Sequence, residues 1–323
     1  MLTRLMTCFS AILLTTSAFA ARSYPMPPKN VDLIGKTQYV YPQKGDNIYN
    51  IARRYNLGYY ELIEANPGMP RHSRLETDKK VVIPTEYVLP NTPREGIVIN
   101  LPELRLYYYN NTTHRVFTGP IAIGRFNWDT PVMESTVIRK YEDPVWQVPE
   151  SIKEESAKKG IYLPDIVKPG PKNPLGDYAL RLGRWSYLIH GTNAPNSIGK
   201  RASSGCMRMF PESIEQLFQQ VPIGTPVRII DEPVKLGWDQ GKLYMEAHEP
   251  LRETARPRPE QIQHARDLIH AMTDGKPIPV NWHKVDEVLE RESGIPTVIS
   301  GKVDYSTQDY AGEPVVDSGY SGY

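Results

Sequence analysis

Hydrophobic and polar positions change period several times along the 323 residues, and the changes divide the chain. Residues 39–41 form a short alternating run. Ile48, Ile51, Ala52 and Tyr55 then fall on one face of a helix that Asp46 or Asn47 caps and residues 56–58 stop. Residues 59–65 predict a second helix, ended by Asn66-Pro67-Gly68, and residues 81–83 a closing strand. The segment 38–84 thus reads strand, helix, helix, strand.

Beyond it the period shortens. Apolar runs at 97–99, 104–109, 114–117 and 121–123 are separated by turns at 101–103 and 110–112, which predicts a mostly β region. Residues 149–177 are a Pro- and Lys-rich insertion with a helix over 151–159 capped by Ser151. Such an insertion is a lid, a substrate wall, or a surface excursion without function. A hairpin over 179–190 turns at Gly183, an amphipathic helix covers 211–219, and a strand follows at 226–230. The remainder holds a hairpin around 239–241 and helices over 259–272 and 281–292, the second stopped by Gly294. Residues 21–32 read as a Pro-rich leader, 86–95 as a linker and 301–323 as a disordered tail. The fold class is α+β.

A net charge of +1 gives no electrostatic case for nucleic acid. Residues 1–20 have the form of a secretory signal peptide: Arg4, an apolar stretch over 5–19, and the cleavage pattern Ala18-Phe19-Ala20. No other segment is a candidate bilayer span, so the mature chain is expected to have none. Signal removal takes Cys8 and leaves Cys206 as the one cysteine. In an oxidising compartment it has no internal disulfide partner, which points to a use for its thiol. Among the other histidines, His264 and His270 lie six apart, on different helix faces. With no metal-binding motif, neither a metal nor an organic cofactor is expected.

Residues 190–208, HGTNAPNSIGKRASSGCMR, hold the chemistry. The strand before them turns wholly apolar, so His190 sits at its end and Gly191 opens a loop rich in Asn, Ser, Gly and Pro. A thiol attacks a carbonyl as thiolate, and an imidazole can take its proton. No acid follows His190 closely, so a backbone carbonyl, with Gly191 the candidate, must orient the ring. Gly205 lets main chain approach a reacting carbonyl, and the N–H groups of Cys206 and its neighbours then face an oxyanion. Arg208 offers a planar fork suited to a carboxylate; its structural alternative is an ion pair beside the site.

This stretch resembles the active-site motif of the YkuD-type L,D-transpeptidases of bacterial cell walls: a His-Gly pair, a gap, then Ser-x-Gly-Cys-x-Arg. Here these are His190-Gly191 and Ser203-Ser204-Gly205-Cys206-Met207-Arg208. Many members carry a second histidine where this chain has Ser204. Ile123-Gly124-Arg125 and Thr130-Pro131 also match, with Met133 where a glycine is frequent. Residues 38–84 resemble a LysM module on Gly45-Asp46, Ile51-Ala52 and Glu64-Ala65-Asn66-Pro67-Gly68. The resemblance implies a signal peptide (1–20), a βααβ peptidoglycan-binding module (38–84), a mostly-β catalytic domain (95–231), a mixed C-terminal extension (232–300) and a tail (301–323). It implies Cys206, His190 and Gly191 as catalytic and Arg208, Ser203, Ser204 and Gly205 as substrate-binding.

The implied reaction is acyl transfer in the periplasm. Cys206 cleaves the bond before the terminal D-alanine of a peptidoglycan tetrapeptide stem, and an amine resolves the thioester. The acceptor is either another stem or the C-terminal lysine of an outer-membrane lipoprotein, and the larger periplasmic members that anchor lipoprotein have a similar layout. Two other readings stay open: a hydrolase on the same polymer, an L,D-carboxypeptidase or another cysteine hydrolase, and a non-catalytic wall-binding protein.

Overall fold

The computed structural model describes residues 22–183, 187–273 and 278–301. The expected signal peptide, and all but the first residue of the expected tail, lie outside them.

The first strand corrects the expected leader. β1 (Arg22–Pro25) is not loose; it lies at one edge of the principal sheet. β2 (Leu33–Gly35) follows, and then the first module: β3 (Gln38–Val40), α1 (Ile48–Tyr55), α2 (Tyr59–Glu64) and β4 (Val81–Ile83). Asn47 caps α1 by accepting the Asn50 N–H, and Asn56 ends it in the left-handed region at φ 54°. Asp46 is not the cap; it accepts the Gln43 N–H and two bonds from Arg54. β3 and β4 pair antiparallel over a core of Ile48, Ile51, Leu57, Leu62 and Ile83. The expected linker is corrected too. Its start forms β5 (Glu86–Val88), which pairs antiparallel with β2.

The main sheet is built from β6 (Gly96–Asn100), β7 (Arg105–Asn110) and β8 (Arg115–Pro120), joined by hairpin turns. The two-residue β9 (Ile123–Gly124) and the long β10 (Met133–Glu142) come next. β11 (Trp146–Gln147) lies just before the insertion, and α3 (Glu150–Ala157) and β12 (Ile166–Val167) lie within it. Ser151 does not cap α3; Pro149 holds that place and no side chain caps the helix. β13 (Tyr178–Leu182), β14 (Leu188–His190), β15 (Arg201–Ser203), β16 (Met207–Arg208), α4 (Pro211–Gln220) and β17 (Pro226–Ile230) complete this region. Among the described residues the sheet has nine strands, in the order β1-β8-β7-β6-β17-β10-β13-β14-β16. Neighbours are antiparallel except β17–β6 and β14–β16. Ile214 and Leu217 of α4 join Ile99, Leu180, Ile189 and Met207 in its core. Each such side chain, fully buried, contributes about 1.5–3 kcal/mol.

The C-terminal region is a separate layer. β18 (Val234–Asp239), β19 (Lys242–Ala247) and, after α5 (Arg258–Met272) and α6 (Trp282–Arg291), β20 (Thr297–Val298) form a three-stranded sheet. Asn281 caps α6, and Glu292 rather than Gly294 takes the first left-handed position after it.

Charged residues join these layers. Arg105 donates to Glu61 of α2 at 2.5 Å, with both side chains nearly fully buried. Two residues earlier, Glu103 meets Lys235 of β18 at 2.9 Å, and Lys235 also meets Glu246 at 2.7 Å. Glu103 in the turn before β7 and Arg105 at its start therefore tie the principal sheet to both neighbours.

Candidate active site

The parallel pairing of β14 with β16 sets His190 beside Arg208 in register. Cys206 directly precedes β16. His190, Cys206, Arg208, Ser203 and Ser204 line one cavity of about 750 Å3. Gly191 and Gly205 shape the turns beside it without lining it.

His190 is buried, and its Nδ1 lies 2.7 Å from the Gly191 carbonyl oxygen. A carbonyl only accepts, so Nδ1 carries the proton and Nε2 is left as the basic nitrogen. Burial, with the nearby Arg208 charge, pushes the imidazole down to about 4; carbonyls of Gly191 and Leu175 oppose this. Burial pushes the half-buried Cys206 thiol up, against a backbone hydrogen bond from Leu188 and the Arg208 charge. Both shifts favour the neutral forms: a thiol and an unprotonated imidazole lining one cavity.

The cysteine turn is fixed by its own polar groups. Gly205 sits at φ +103°, a conformation that disfavours any side chain. Its N–H donates to Ser203 Oγ at 3.1 Å, and Ser203 Oγ donates to the Cys206 carbonyl at 2.5 Å. The Gly205 carbonyl accepts Thr130 Oγ1 at 2.7 Å, while Thr130 accepts the Gly124 N–H at 2.9 Å. Arg125 donates to the Ser203 carbonyl and to Ser204 Oγ. The two serine hydroxyls are thus engaged within the protein.

Arg208 differs from the arginines around it. Arg125 pairs with Glu155, and Arg201 with Asp129 and Glu253. Among the described residues no carboxylate pairs with Arg208, and its buried Nε has no hydrogen-bond partner. Burial lowers its pKa. A mostly buried guanidinium without an anion is costly, so an anionic group entering the cavity would meet a receptive donor.

The insertion supplies part of the wall: Pro149, Ile152, Pro174 and Leu175 line the cavity, together with Trp146 just before it. Sequence reasoning left this role open and did not single out Thr130, Glu155 or Trp146. The Thr130-Pro131 match carried a signal for the first; no motif marks the others.

The first module leans on the same loop. The N–H groups of Tyr59 and Tyr60 donate to the carbonyls of Ile198 and Gly199 at 3.2 and 3.3 Å. Lys200 Nζ lies 3.7 Å from the Tyr59 ring centre and 3.0 Å from Tyr49 Oη. Gly199 has φ +75°, and a Cβ there would fall 2.2 Å from the Tyr59 nitrogen.

One further set of ligand-type groups, Glu103, Glu246 and His248, gathers within 4.8 Å. Lys235 already brings a cation to both carboxylates, so the set is a charge network at a module junction.

A family model for the LysM domain matches residues 43–84, and one for the YkuD L,D-transpeptidase catalytic domain matches residues 94–229. The chain is 40% identical over 294 residues to the probable L,D-transpeptidase ErfK/SrfK of Salmonella typhimurium, covering 90% of this chain and 94% of that one. It is 39% identical to the probable L,D-transpeptidase YbiS of Escherichia coli, covering 87% and 92%. The solved catalytic domain of an E. faecium L,D-transpeptidase aligns with 44% of this chain and 100% of its own, at 22% identity and a TM-score of 0.34.

Proposed function

The chain belongs to the L,D-transpeptidase family, and from that premise we propose that Cys206, His190 and Arg208 perform acyl transfer on peptidoglycan tetrapeptide stems. One observation carries the assignment: a thiol, an oriented neutral imidazole and an arginine without an anion line one cavity.

Nε2 of His190 takes the Cys206 proton as sulfur attacks the carbonyl before the terminal D-alanine. The resulting oxyanion faces the Cys206 N–H, since the Gly205 N–H is already engaged by Ser203. The imidazolium returns its proton to the departing D-alanine amine. A thioester to the shortened stem remains, and an acceptor amine attacks it with His190 again as base. Neutral resting partners suit this cycle, because the charge pair forms only as the bond is made. Gly191 holds the ring, Ser203, Ser204 and Gly205 shape the turn at the substrate, and Arg208 receives a stem carboxylate.

The LysM module supplies glycan affinity, and the cavity receives the stem. This reading places the enzyme in the periplasm, exported by residues 1–20, with the domain limits 38–84, 95–231 and 232–300 given above. The acceptor is a lipoprotein lysine or a second stem.

Incubating the protein with disaccharide-tetrapeptide, with and without each acceptor, tests the reading by mass spectrometry. Loss of D-alanine with joining to an acceptor is expected, and Cys206→Ala should abolish it. Loss of D-alanine without joining would assign hydrolysis instead.

A further inference from the structure

Arg125 touches the cysteine turn on one side and the insertion on the other. Its Nη1 donates to the Ser203 carbonyl at 3.2 Å and to Ser204 Oγ at 2.8 Å, and its own N–H reaches the same carbonyl at 3.0 Å. Ser203 in turn bonds the Gly205 N–H and the Cys206 carbonyl. The other guanidinium nitrogen pairs with Glu155 of α3, which Lys159 also holds at 2.8 Å.

The helix at the far end has little else to keep it in place. α3 contains no buried residue. Lys153 bonds Glu150 and Asp165, both inside the insertion. Among the described residues, Arg125–Glu155 is the one ion pair from α3 to any residue outside the insertion. Yet Pro149 and Ile152, at the start of this helix, line the same cavity as Ser203, Ser204 and Cys206. A helix with no buried side chain is free to swing unless a polar tie holds it.

We propose that Arg125 and Glu155 are positioning residues that latch the insertion to the cysteine turn, so that wall closure and the alignment of Cys206 share one guanidinium. Glu155 sets how well the wall closes on the donor stem. Arg125 does this and also fixes the main chain on which the nucleophile rides. The kinetic part rests on the function proposed above; the structural part does not.

Three variants separate the two jobs. Glu155→Gln frees the wall and leaves the turn held, so the KM for tetrapeptide should rise about fivefold while kcat stays within about twofold. Arg125→Lys keeps a cation for Glu155 but lacks the planar fork, so kcat should fall about tenfold with little change in KM. Arg125→Met should show both effects. Amide hydrogen exchange gives a readout that needs no substrate: Glu155→Gln should speed exchange in residues 152–157 alone, and Arg125→Met in residues 152–157 and 203–206 together. If exchange in residues 152–157 is unchanged in Glu155→Gln, or if Arg125→Lys and Glu155→Gln shift the same kinetic constant, the latch is wrong. Wild-type protein that leaves the tetrapeptide intact, with the exchange pattern as expected, would overturn the proposed function and leave the latch standing.

Discussion

The LysM module and the 149–177 insertion both press on the loop that carries Cys206, but different physics holds them. The module is joined through a buried pair, Arg105–Glu61, with side-chain exposures of 1% and 8%. Around it Tyr87 Oη donates to Glu61 and the Asn56 amide to the Thr118 carbonyl. The insertion's helix α3 is joined through Arg125–Glu155, whose side chains are 33% and 28% exposed. A pair deprived of water can be broken only at the cost of a stranded charge, whereas a half-solvated pair exchanges its partner for water. One contact therefore makes the module part of the catalytic scaffold, and the other leaves the wall able to open.

The contrast predicts a descending series. Arg105→Met leaves Glu61 buried without its cation and should destabilise the protein by about 3–5 kcal/mol, read from denaturant unfolding. The double change Glu61→Leu with Arg105→Met should recover most of that loss; if it does not, the pair is more than a matched burial. Arg208→Gln should lower kcat/KM for tetrapeptide by about 10- to 100-fold with little effect on stability, because among the described residues no carboxylate pairs with the wild-type guanidinium. Gly199→Ala forces a Cβ against the Tyr59 nitrogen in a left-handed conformation, and should cost about 1–3 kcal/mol by parting module from loop. Glu155→Gln is the smallest, leaving Tm within about 2 °C of the wild type. A larger drop would mean that the wall is as firmly built in as the module.

What the chain announces and what it hides follow the same division. The caps of α1, the hairpins at 101–104 and 239–241, and the residues around His190 and Cys206 are local signals, set by neighbours in sequence. β1 and β5 escape such reading because they are three or four residues long, near prolines, and exist only through distant partners. β10 is hidden differently. Met133 and Val137 are its only buried residues, so a ten-residue strand near the middle of the sheet looks like polar surface. The junction charges Glu61, Glu103, Arg105 and Lys235 read as solvated until the fold brings them together. At the site, residue types and spacing point to His190 and Cys206. The orienting Gly191 carbonyl was legible because no acid lay near in sequence. Glu155 was not, since nothing local distinguishes it from the other charges of its helix.

The central claim is that the fold holds a buried, neutral imidazole on the cavity that the nucleophile also lines. It is tested most directly by NMR titration of the His190 ring in the resting enzyme, with His190→Gln identifying the signal. The folded pKa lies below the unfolded one, so the unfolded chain binds more protons between pH 6.5 and about 4, and stability should fall as pH drops through that window. The account predicts a ring midpoint of about 4. A midpoint at or above the ordinary 6.5 would contradict it and point to a preformed imidazolium–thiolate pair.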